Sequence, residues 1–158
     1  MINYDYTDAY KALAATVAGL TLSGGAAKKI EESSMEFPEF DSGTRLPYAV
    51  IETAGEMSVE FPGGAVIREL HTLPVRVWYI RNKPANAVAG DTLRADGAAI
   101  ASALRLSSLG GLVERILIRG IDWSADSASN PFNALARQQN WPACAVAVRI
   151  DIETVESP

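Results

Sequence analysis

The sequence is short of the residues that build metal centres and nucleophilic sites, with one cysteine, Cys144, and one histidine, His71. A lone cysteine excludes a disulfide within the chain, and a lone histidine makes a histidine-rich zinc site or a Ser-His-Asp site hard to build. No apolar run approaches the roughly 18 residues needed to span a bilayer. The opening "MINYDYTDAY" carries acidic residues where a secretory signal has basic ones, so the chain is expected to be made and kept in the cytoplasm. Positive charge is also in deficit, with 14 Lys and Arg against 19 Asp and Glu, a net charge of −5. Tight binding to nucleic acid phosphates needs a basic patch that this balance does not suggest, although DNA can pass nearby.

What the chain does have is enough apolar residue for one core. Its 158 residues, 48% hydrophobic and 21% charged, fit a single globular domain that buries roughly 68–70% of its unfolded surface. From Thr7 to Leu20, Ala9, Tyr10, Leu13, Val17 and Leu20 recur at helical spacing, with Thr7 or Asp5 as the cap and Gly19 at the end. Residues 21–45 mix glycine, serine and both signs of charge, and are expected to form a long flexible arm with a short strand near 28–35. "LPYAVIET" alternates as a strand opened by Pro47, and "EMSVEF", "PGG" and "AVIRELHTL" read as a hairpin. "LPVRVWYIR" reads as a further, separate strand.

Leu93, Gly97, Ile100 and Leu104 mark one side of a second helix capped by Asp91 or Thr92. "VERILIRGIDW" is a mostly apolar strand, and Asn130-Pro131 resembles the start of a short helix. In "ACAVAVRIDIE", Cys144, Val146, Val148, Ile150 and Ile152 fall on one side, while Ala145, Ala147, Arg149, Asp151 and Glu153 fall on the other. The order of elements predicts an α+β fold: a mostly antiparallel sheet, two main helices packed on one face, and a long arm or hairpin.

None of the candidate catalytic constellations has the expected frame. His71 lacks a partner visible in sequence, and Cys144 falls on the apolar side of its strand, where a thiol behaves as a small hydrophobe. Asp122 and Asp126 lack calcium-loop spacing, and "LSGGAAKK" neither follows a strand nor opens a helix as a phosphate loop does. No catalytic residue, cofactor or metal is therefore expected. The aromatics are more suggestive: Trp123, Phe132 and Trp141 sit in or beside one connection, and Phe37 and Phe40 interrupt the polar arm. Such residues either anchor their own loops or form the centres of interfaces.

The succession "YKALAATVAGL", "LPYAVIE", hairpin, "LPVRVWYIR", "TLRADGAAIASAL" and the paired final strands "VERILIRGI" and "CAVAVRIDIE" resembles the tail terminator (minor tail or tail completion) proteins of long-tailed bacteriophages, over most of the chain. The resemblance implies a non-enzymatic virion protein, one domain over residues 1–158, assembled in the host cytoplasm into a hexameric ring. Such a ring caps the tail tube, ends its polymerisation, offers a surface to the head connector, and lets DNA through its lumen without specific binding. Interface positions expected on this reading are Phe37, Phe40, Trp123, Phe132, Trp141, Arg149, Asp151 and Glu153. A head-closure or head-tail joining protein is the neighbouring alternative, and a small cytoplasmic enzyme or ligand-binding domain the alternative from another class.

Overall fold

A computed structural model of the chain describes residues 2–34, 45–63, 68–84 and 89–157. Its axis is a pair of 14-residue antiparallel strands, β4 (Glu69–Asn82) and β6 (Ala143–Glu156), in unbroken register from Glu69↔Glu156 to Asn82↔Ala143. Around them lie β1 (Lys29–Ser34), β2 (Tyr48–Thr53), β3 (Ser58–Glu60) and β5 (Arg115–Asp122). The sheet runs β1-β2-β4-β6-β5, with β3 also paired to β4; among the described residues only β1 and β2 are parallel. The fold is α+β.

The sequence expectation of two separate strands on either side of Leu73-Pro74 is corrected, because β4 runs straight through Pro74. Proline is tolerated there because its missing N–H falls where β4 changes partner, from β3 at Leu70–Thr72 to β2 at Val75–Ile80. The Pro74 carbonyl is still used, accepting from the Ala54 N–H at 3.0 Å.

Period-two alternation divides the sheet into two faces. On one, Ala49, Ile51, Val75, Val77, Tyr79, Val146, Val148, Ile150 and Ile152 share a core with Leu13 and Val17 of α1 (Thr7–Ala18) and Leu93, Ile100 and Leu104 of α2 (Ala89–Leu104). The helix stripes read from sequence are largely the buried ones: Ala9, Tyr10, Leu13 and Val17 of α1, and Leu93, Ile100 and Leu104 of α2, have little exposed surface, whereas Leu20 lies beyond the end of α1 and is only partly buried. The starts differ. Asp5 accepts from the Thr7 N–H and hydroxyl, but Tyr6 occupies the cap position of α1. α2 begins two residues before Asp91, which lies in the first turn and bonds Arg94 at 2.7 Å. Gly97 lets α2 approach closely, since a Cβ there would press on Ile121 and come within 2.8 Å of Val146.

On the other face, Tyr48, Val50, Trp78, Ile80, Ala143, Ala145 and Ala147 form a second core with Phe132 and Ala136 of α3 (Pro131–Gln138). Asn130 caps α3, accepting from the Asn133 N–H at 3.2 Å, and Pro131 opens the helix where it has no N–H to lose. The small alanines of β6 let α3 lie close. Asn133 locks it there, donating to the Ala145 and Trp123 carbonyls and accepting from the Ala145 N–H at 2.7–2.8 Å.

The described part of the arm, residues 21–34, is tied to the body at several points. Leu22 is buried, Ser23 bonds Asp96 through its N–H and hydroxyl, and Tyr79 donates to the Gly25 carbonyl at 2.8 Å. β1 then lies along β2, where the Tyr48 hydroxyl donates to Glu31.

Candidate functional site

Where α3 ends its cover, the second sheet face turns from apolar to charged. Along β6 the alanines give way to Arg149, Asp151 and Glu153, and each meets an opposite charge on β5. Arg149 donates to Asp122 at 2.8 Å, Arg119 to Asp151 at 2.7 Å and Arg115 to Glu153 at 3.1 Å. A fourth pair joins β4 to β2: Arg76 Nη1 lies 3.4 Å from Glu52, whose carboxylate also accepts from the Trp78 indole at 2.7 Å. The Arg76 guanidinium lies over the Trp78 ring, and its Nε has no acceptor among the described residues.

The pairs are layered. Carboxylates lie beneath and guanidinium groups above, so that Arg115 and Arg119 side chains are each 53% exposed while those of Glu153 and Asp151 are 9% and 17%. The surface offered outward is therefore rich in arginine, on a chain of net charge −5. A register shift in β5 between Ile118 and Gly120 brings Arg119 into reach of Asp151. Gly120 leaves room for Arg149 to cross it, because a Cβ there would meet that guanidinium.

A pocket of about 170 Å³ opens at the end of the sheet where β4 stops and β6 starts, between α2 and α3. Leu93, Trp123, Ala136, Ala143 and Cys144 give it apolar walls, and the exposed cations Lys83 and Arg137 also line it. Trp123 is half-buried under the Arg94 guanidinium, 5.9 Å from the ring centroid. Burial pushes the Cys144 thiol up to about 11, against the pull of Arg81 and Lys83, so it remains protonated at neutral pH.

At the far end of the same strands, His71 is buried within hydrogen-bonding side chains. Its Nε2 lies 2.8 Å from Glu69, and its Nδ1 meets the Tyr6 hydroxyl, which is also 2.7 Å from Thr154 Oγ1. Tyr4 stacks on the imidazole at 5.1 Å and donates to Glu69 at 2.9–3.0 Å. The bond from His71, and after it the one from Tyr4, hold the Glu69 carboxyl below its ordinary range. Burial raises the Tyr6 hydroxyl, which therefore stays protonated, and the group acts as a clamp from the N-terminal segment to β4 and β6.

The expected interface residues fall in three places. Arg149, Asp151 and Glu153 lie together in the charged layer, paired within the chain. Phe132 is fully buried between Trp78 and Trp141, 6.4 and 5.4 Å away by ring centroids, and Trp141 is half-buried against that core. Trp123 lines the pocket, and Phe37 and Phe40 lie outside the described residues. Sequence reasoning missed Arg115 and Arg119, although their complementarity to Glu153 and Asp151 was a usable signal once the two strands were taken as neighbours. It also missed Tyr4, Tyr6 and Glu69 around His71, where Glu69 and His71 share a strand face at a spacing of two.

Among the described residues no cluster of His, Cys, Asp and Glu could hold a metal ion, and no helix is long and apolar enough to cross a membrane. No protein-family model matches the chain, and no curated protein matches it.

Proposed function

We propose that the chain is a structural subunit which assembles with copies of itself into a ring, in the manner of a phage tail terminator, closing the end of a tail tube and offering a surface to the head connector. The observation that carries this reading is the arginine-clad half of a sheet face on an otherwise acidic chain. Arginine is the cation enriched at interfaces, and a neighbouring copy supplies the acidic surface it complements. Contacts of this kind are heterologous, one surface meeting a different one, and such contacts close into rings when the rotation between copies permits. The net negative charge also suits a lumen through which DNA must pass without being held.

The test is to incubate the purified protein with unfinished tail tubes and image the tube ends. The expected outcome is a cap on one end only, with a native mass six times the 16.9 kDa of the chain. A protein that ignores tube ends and binds the head-side portal or connector instead would assign it to head closure.

A further inference from the structure

A ring contact needs an anchor, and two unlike features at opposite ends of the β4–β6 ladder match each other in size and charge. One is the pocket bounded by Leu93, Trp123, Ala136, Ala143 and Cys144, with Lys83 and Arg137 also lining it. The other is Phe61, just beyond β3, which at 68% is the most exposed of the large hydrophobic residues described. Exposed Glu60 immediately precedes it in the chain, and exposed Glu56 lies just before β3. β3 pairs the first residues of β4, whereas Lys83 follows its last, so the two features are on the order of 40 Å apart along the strands. Phe61 therefore cannot reach the pocket of its own chain.

We propose that Phe61 of one copy seats in this pocket of the next, with Glu56 and Glu60 set against Lys83 and Arg137. The inference rests on the ring reading and names the residue that anchors the ring contact. The volumes agree: an apolar cavity of roughly 150 Å³ accommodates benzene, so one of about 170 Å³ accepts a phenyl ring. The half-buried Trp123 indole gives that ring an aromatic wall. The charges agree as well. Among the described residues, Arg137 pairs with Asp126 at 3.6 Å, with both groups largely exposed, so an incoming glutamate competes easily for it. Seating a knob from one end in a hole at the other makes a head-to-tail contact, which closes into a ring or runs on as a filament.

The experiment measures native mass by light scattering over a concentration series for the wild type, Phe61→Ala and Ala125→Trp, the last narrowing the pocket from its loop wall. Each variant is expected to need at least tenfold more protein than the wild type to assemble. Mixed one to one, they should form dimers and stop there, because each retains the half that the other lacks. Independently, Phe61→Cys, held at the concentration at which Phe61→Ala assembles and treated with the thiol oxidant diamide at mildly alkaline pH, should give a disulfide ladder longer than a dimer through Cys144, the only native cysteine, and lose that ladder when Cys144→Ala is added. A Phe61→Ala protein that assembles at wild-type concentrations overturns the contact and leaves the ring reading standing on tube capping. A wild-type chain that stays single up to millimolar concentration overturns the contact too.

Discussion

Gly120 governs the arrangement of the arginine layer, since any side chain there displaces the guanidinium that Arg149 lays across it toward Asp122. Cys144 and Tyr79 show the opposite use of a residue, as groups kept neutral by burial. Their pKa values are pushed up to about 11 and about 12, with burial the largest cause in each. The unfolded chain releases these protons near the ordinary values of 9.0 and 10.0, whereas the folded protein keeps them longer. The stability these groups provide is thus intact below about pH 9 and is lost as pH rises toward 11 and 12. Thermal unfolding midpoints should fall steadily over that window. In Cys144→Ala the fall should begin about one pH unit later, where tyrosine first ionises in the unfolded chain. A midpoint flat from pH 8 to 12 would contradict the burial of both groups.

Elements were the most legible scale. The stripes of α1 and α2, the Asn-Pro start of α3, the alternation of β2 and β6 and the mostly apolar run of β5 are visible in side-chain spacing and composition alone. The fusion of two expected strands into β4 was not legible, because a proline reads as a strand boundary unless its missing N–H is known to face a change of partner. Nor does spacing show what holds α3 in place, since Asn133 looks like an ordinary polar residue in the sequence. Replacing it with alanine removes three hydrogen bonds and strands the buried Ala145 N–H. The expected cost is about 2–3 kcal/mol, read as a lowered urea midpoint with unchanged slope, and faster amide exchange at Ala145. A loss below about 0.5 kcal/mol would mean that α3 is held by Phe132 and its neighbours alone.

For the whole molecule, the expected interface positions Arg149, Asp151 and Glu153 combine two roles, as partners of β5 and as part of an outward charge pattern. Single charge reversals confuse these roles, because they break the intrachain pair as well. Exchanging partners, with Arg119→Asp and Asp151→Arg together, keeps the pair and inverts the pattern. Such partly exposed pairs contribute little to folding, so stability should stay within about 1 kcal/mol of wild type while assembly and tube capping are lost. Capping by the exchanged protein would remove this face from the ring contact. The site was only half visible in sequence. One strand of the charged layer was identified from its alternation, but the two most exposed arginines of its outer surface lie on β5, 32 and 38 residues before their β6 partners. The pocket draws residues from β6, both neighbouring helices and two connections, and no local pattern marks such a convergence.

By itself the sequence determined the α+β class, the order of most elements and the division of each amphipathic element into an apolar and a polar side, because these follow from period and composition over short stretches. The pairing of β5 with β6, expected from the family resemblance, holds in the sheet, whereas tertiary packing alone places Phe132 in a second core, clamps His71 between two tyrosines and sets Phe61 and the pocket at opposite ends. The reason is physical: strand order and register are set by which distant surfaces bury one another best, an energy summed over residues that the linear pattern keeps apart.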